Sequence, residues 1–130
     1  MSIKVELDKL ADEMASRSIG YLITVGQDGP AHLGEADFRW EGDTLVAGAG
    51  RTTRRHVAAG RPVSMMWPPA DPDGYTLIAD GTGVIVGEDD EATVHITPTW
   101  AVLHRRARPD SPPSVTGCGD DCAPLASDAG

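Results

Sequence analysis

"FRWEGDTLVAGAGRTTRRHVAAGRPVSMMW", Phe38 to Trp67, changes its period twice. Phe38 and Trp40 alternate with polar residues, as a half-buried strand requires, and Glu41–Asp43 (EGD) supplies a hairpin turn. Thr44–Ala49 (TLVAGA) is the returning strand. The alternation then stops. Thr52–Ala59 reads as a short helix that Gly60 ends, and Val63–Trp67 (VSMMW) resumes as a strand. A short helix set into a run of antiparallel strands is the feature that decides the architecture.

The flanks extend the pattern. Lys4–Arg17 reads as an amphipathic helix, with Leu7, Leu10, Ala11 and Met14 on one face and Glu6, Asp8, Lys9, Asp12 and Glu13 on the other; Gly20 is expected to end it. Tyr21–Val25 (YLITV) is a strand and Gly26–Pro30 (GQDGP) a turn. Ala31–Trp40 reads as one strand whose apolar phase slips between Leu33 and Phe38, which predicts a bulge or bend near Gly34–Glu35. Beyond Trp67, Pro68–Gly74 is a loop, Tyr75–Val86 a long strand with glycines at 81 and 83, and Ala92–His104 a last strand bent at Pro98. The chain is thus mainly β with short helices. About six antiparallel strands, an N-terminal helix and a helix between strands three and four predict a small barrel. It occupies residues 1–108. Residues 109–130, rich in Pro, Ser, Gly and Asp, read as a flexible tail.

Composition narrows the partners. The chain has 130 residues, enough for one domain with a modest core, so dimerisation is a ready source of further burial. Formal net charge is −9 and pI about 4.7, which argues against nucleic-acid and membrane-surface binding. The charged start MSIKVELDKLADEM is not a secretion signal, and no apolar run approaches the roughly 18 residues of a membrane span, so the expected compartment is the cytoplasm.

Against that acidity, Gly50–Arg61 gathers Arg51, Arg54, Arg55 and Arg61, and no acid occurs between Asp43 and Asp71. Ala47, Gly48, Ala49 and Gly50 let backbone approach a ligand. The first helical turn offers unpaired N–H groups, Thr52 and Thr53 offer hydroxyls, and the arginines offer charge-assisted contacts. The combination suits a small anion such as a phosphate; a solvated basic helix face is the competing reading. No Lys follows at the spacing of a Walker loop.

The order YLITVGQDGPAH, FRWEGDTLVAGAG, RTTRRHVAAGRPVSMMW, YTLIADGTGVIVG resembles the pyridoxamine 5′-phosphate oxidase-like family of flavin split-barrel proteins, over about Leu7 to His104. In particular it is similar to a small actinobacterial branch with a WPPADPDGY-type loop, a TPTWAVLHR-type last strand and a GCGDDC-type tail. The resemblance implies a split β-barrel and a homodimer with cofactor sites between subunits. It implies FMN, or in some relatives a deazaflavin of the coenzyme F-420 type, and oxidoreductase activity on a small molecule. It places the phosphate grip at Arg51, Thr52, Thr53 and Arg54, with Arg55 beside them. Many relatives carry Ser-x-Lys followed by Asn, where this chain has Arg51, Thr53 and His56. That departure keeps open a non-catalytic carrier or store of flavin or haem.

Other residues are candidates on chemistry alone. Trp67 and Trp100 can stack on a planar ring or pack a core or interface. Glu35, Asp37 and His32 can wall a site or face solvent. The four histidines show no zinc spacing, and no G-x-S-x-G elbow occurs. Cys118 and Cys122 can hold a metal, form a redox disulfide, or stand as free thiols. Arg105, Arg106 and Arg108 can reach a ligand across a dimer or stay solvated.

Overall fold

The structure, a computed structural model, describes residues 2–106. Arg108 and the expected tail at 109–130, with Cys118 and Cys122, lie outside the described residues. Eight strands and two short α-helices follow in the order β1 (Ser2–Lys4), α1 (Leu10–Ala15), β2 (Gly20–Thr24), β3 (His32–Ala36), β4 (Arg39–Glu41), β5 (Thr44–Gly48), α2 (Arg51–Ala58), β6 (Val63–Trp67), β7 (Thr76–Val86) and β8 (Thr93–His104).

All strands join one antiparallel sheet, ordered β3-β2-β6-β7-β8-β5-β4, with β1 also on β8. The two strands at the ends of this path, β3 and β4, are consecutive in the chain. Only Asp37 and Phe38 separate them, a link that spans at most about 11 Å. The sheet therefore curls until its ends nearly meet, which makes a barrel. No ladder joins β3 to β4, so the barrel is split there. Phe38 plugs the seam from inside, its ring 5.2 Å from that of Trp67 on β6.

The expected single strand Ala31–Trp40 is thus two strands. β3 keeps regular register with β2, from Gly20 opposite Ala36 to Thr24 opposite His32, and β4 pairs with β5. The phase slip is real, but it marks where the chain leaves one strand partner for another, after Ala36 rather than at Gly34–Glu35. The N-terminal helix is also shorter than its periodicity suggests. Ser2–Lys4 pairs with Val102–His104, Leu7–Lys9 forms a 3-10 turn, and α-helix begins only at Leu10. Backbone pairing with β8 outbids helix at the chain start, where a helix leaves its first N–H groups unpaired.

The bend expected at Pro98 takes the form of a bulge. Asp80 faces Trp100 and Gly81 faces Pro98, leaving Thr99 unmatched. Inward positions on β8 accordingly change from Val94 and Ile96 before the bulge to Ala101 after it, all fully buried. Leu10, Leu45, Val63, Met65 and Leu77 fill the barrel with them. Among the described residues no helix is long and apolar enough to cross a membrane.

Candidate functional site

β5 carries the chain out of the barrel wall and α2 turns it back, so the segment between them is held at both ends. Ala47 is buried, Gly48 exposed, Ala49 buried and Gly50 exposed. Gly50 is the N-cap residue, in extended conformation (φ −71°, ψ 176°), and no side chain caps the helix. The first intrahelical bond runs from the Arg54 N–H to the Gly50 carbonyl, 2.9 Å. The N–H groups of Arg51, Thr52 and Thr53 are left without an intrahelical acceptor, and the helix dipole adds partial positive charge there. Arg51 and Thr52 of this turn border an open cleft of about 630 Å³, lined by Gly48, Ala49, Gly50, Arg51, Thr52, Arg54 and Asp90.

Six of the sequence-predicted residues therefore meet at one cleft. The other four do not line it. Ala47 is buried behind it, and Thr53 is buried in the first helical turn. Arg55 is exposed elsewhere on α2. Trp67, 3% exposed, belongs to the barrel core against Phe38, which gives its packing reading rather than its stacking one.

Arg54 is at the cleft in an unexpected capacity. Its Nη1 donates to the Ala49 carbonyl at 2.9 Å and to the Asp89 carbonyl at 2.7 Å. It fastens the β5–α2 segment to the loop between β7 and β8. Arg51, exposed and lining the cleft, is the arginine available to an anion. His56 also faces away from the cleft: its Nδ1 lies 3.0 Å from Thr24 Oγ1, and its buried ring meets His32 edge-on at 6.4 Å. It tethers α2 to β2. Glu35 and Asp37 are exposed, and Glu35 pairs across from Tyr21 on the outer side of the sheet.

Sequence reasoning missed Asp90. It sits in a 3-10 turn, Asp89–Glu91, remote in sequence from the arginines. The register of β8 against β5, Gly48 opposite Thr93, brings it beside them. The acid run Glu88–Glu91 is visible in the sequence, but only that pairing reveals its neighbour. Among the described residues no group of three or more His, Cys, Asp or Glu side chains is arranged to hold a metal.

No protein-family model matches the chain. Solved structures match it closely in fold. A Listeria innocua protein named for pyridoxamine 5′-phosphate oxidase superposes with TM-score 0.60 at 18% identity, over 75% of this chain and 96% of that one. An FAD binding protein from Mycobacterium smegmatis gives TM-score 0.58 at 16% identity, over 81% of this chain and 100% of the other. An F-420 reductase gives 0.55 at 21% identity, over 69% and 94%. The fold is thus the split barrel of the pyridoxamine 5′-phosphate oxidase-like proteins. Within it, the chain belongs to one family with the uncharacterized protein Mb0449c of Mycobacterium bovis, to which it is 36% identical over 92% of its own length and 93% of the relative's.

Proposed function

We propose that the chain binds a flavin-type cofactor by its phosphate at the N-terminus of α2 and uses it as an oxidoreductase on a small molecule. FMN is the first candidate and a deazaflavin of the F-420 type the second. The cleft carries this reading. Exposed backbone at Gly48 and Gly50, the first-turn residues Arg51 and Thr52, whose N–H groups are free of intrahelical bonds, and the Arg51 guanidinium border one space. The fold around them is shared with an FAD binding protein and an F-420 reductase.

The bound flavin would supply hydride chemistry. The chain's own residues would anchor and orient it. Arg51 and the α2 amides would take the phosphate, and the extended Gly48–Gly50 backbone would run alongside the rest. The cleft is open on the flank of the sheet, so we assign its missing wall to a second copy, in a homodimer.

An absorbance and fluorescence titration with FMN, and in parallel with the deazaflavin, tests this. The parent is expected to saturate at micromolar concentration or tighter. Arg51→Ala should weaken binding by about tenfold or more, the loss of a charge-assisted contact. No saturation with either cofactor overturns the reading.

One observation favours a non-catalytic carrier as the second reading. Among the described residues, and apart from its arginines, the cleft lining offers one titratable side chain, Asp90, and hence no acid–base pair. Reduction of the bound cofactor by a nicotinamide donor, with turnover on an acceptor, decides between the two.

A further inference from the structure

A second hollow, of about 400 Å³, lies between residues 16–19 and 68–70. It is remote from the cleft. Trp67 stands opposite Leu77 and Leu77 opposite Leu103, whereas Gly48 stands opposite Thr93, so most of β8, roughly 30 Å of strand, separates the two.

The hydrogen bonding around this hollow is lopsided. Its nearby carbonyls are taken: Arg17 Nη1 donates to those of Trp67, Pro68 and Tyr75, and Arg17 Nε and Ser16 Oγ both donate to that of Glu13. Its donors are not. Among the described residues Arg17 Nη2, the Ser18 hydroxyl and the N–H groups of Ser18, Ile19 and Ala70 have no acceptor. Glu13 acts on Arg17 electrostatically, yet no ion pair joins them among the described residues. Partial burial strips water from the guanidinium and lowers its pKa. An anion that accepts from Nη2 would restore what the water supplied. The rest of the lining is apolar. Pro68 and Pro69 bring no N–H and hold a fixed shape, and Ile19, 42% exposed, stands with them.

These features define a ligand. A surplus of donors around one cation selects an anion. One guanidinium, with Glu13 nearby, suits a single negative charge better than the two of a phosphomonoester. The prolines and Ile19 select an apolar body. We propose that this hollow is a binding site for a monocarboxylate with an apolar body, its carboxylate accepting from Arg17 Nη2 and Ser18 and its hydrocarbon lying on Ile19, Pro68 and Pro69. The site is independent of the cofactor reading.

The test titrates the ¹⁵N-labelled full chain with hexanoate, acetate and 1-hexanol and follows the amides of Arg17, Ser18, Ile19 and Ala70. Hexanoate is expected to move them saturably. Acetate and 1-hexanol should bind at least about tenfold more weakly, one for want of the apolar body and the other for want of the charge. Ile19→Glu sets a like charge on the wall and should weaken hexanoate by about tenfold or more. Its position is exposed, and unchanged amide positions elsewhere confirm the fold. Arg17→Lys keeps the charge without the planar fork and should weaken hexanoate as well. Hexanoate that leaves these amides in place, or moves those of residues 48–52 instead, overturns the proposal. So does 1-hexanol binding as tightly as hexanoate, which would make the hollow an apolar crevice only, and so does an Ile19→Glu chain with parental affinity.

Discussion

Gly20 and Gly48 are glycines for opposite reasons. A Cβ built on Gly20 would lie 2.6 Å from Trp67 Nε1 and 2.9 Å from the Phe38 ring, so the seam of the barrel closes only over a bare Cα. A Cβ on Gly48 meets nothing within 4 Å, and its position lines the cleft. Gly20→Ala should therefore cost about 1–3 kcal/mol in urea unfolding, as other overpacked cores do. Gly48→Ala should leave stability unchanged or raise it by up to about 1 kcal/mol, through lower unfolded-state entropy, and weaken FMN binding. A Gly48→Ala protein with parental affinity would remove this backbone from the site. The same residues show what the sequence discloses. The arginine-rich helix start was legible, because residue types and local spacing define it. The division of labour inside it was not: Arg51 and Arg54 are alike in sequence, and only the approach of the Asp89 carbonyl makes one a fastening while the other stays exposed at the cleft.

The loop Pro68–Gly74 closes one turn, the Gly74 N–H on the Asp71 carbonyl at 2.9 Å, and two arginines tie it down: Arg105 Nη1 donates to the Asp73 carbonyl at 3.4 Å, and Arg17 makes the larger set of contacts. Arg17, just past α1, donates from Nη1 to the carbonyls of Trp67, Pro68 and Tyr75 at 3.3, 3.1 and 2.7 Å, and from Nε to the Glu13 carbonyl at 3.2 Å. Partial burial lowers its pKa and the nearby Glu13 opposes the shift, yet a guanidinium starts so high that it stays charged. Arg17→Met should cost about 2 kcal/mol, since it strips hydrogen bonds to a charged group. It should also speed amide exchange across residues 68–75. Arg17→Lys should recover only part of this, because an ammonium lacks the planar fork. Exchange in the loop unaffected by Arg17→Met would show that Arg105, the Asp71–Gly74 turn and the prolines hold it without Arg17. Such ties decide which elements were readable. The hairpin turns and α2 declare themselves through local residues. The partner change after Ala36 and the strand at Ser2–Lys4 depend on distant strands, β5 and β8, and local periodicity is blind to them.

Outside the barrel, the sheet turns a broad apolar face to its surroundings. Leu33, Ile23, Met66, Ile78, Val84 and Trp100 all point outward by strand alternation and by register: Ile23 opposite Leu33, Met66 opposite Ile78. Leu33 is 56% exposed, Val84 64% and Trp100 43%. The hydrogen-bonded pair Ser64 and Asp80, 2.7 Å apart, stands among them, so the face is apolar in patches; exposed apolar patches of this kind suit association. The face is continuous with the cleft, because Gly48, Thr93 and Val86 stand in register across β5, β8 and β7. A second copy seated on it would wall the cleft, which is why the proposed homodimer and the proposed cofactor site stand or fall together. Val84→Glu separates them from the fold itself: the side chain is exposed, so unfolding midpoints should move by less than about 0.5 kcal/mol. Light scattering should show the parent as a dimer and Val84→Glu as a monomer, and FMN affinity should fall with the loss of the partner. A monomeric parent that still binds FMN tightly would mean that each barrel completes its own cleft, and the apolar face would then serve a different protein.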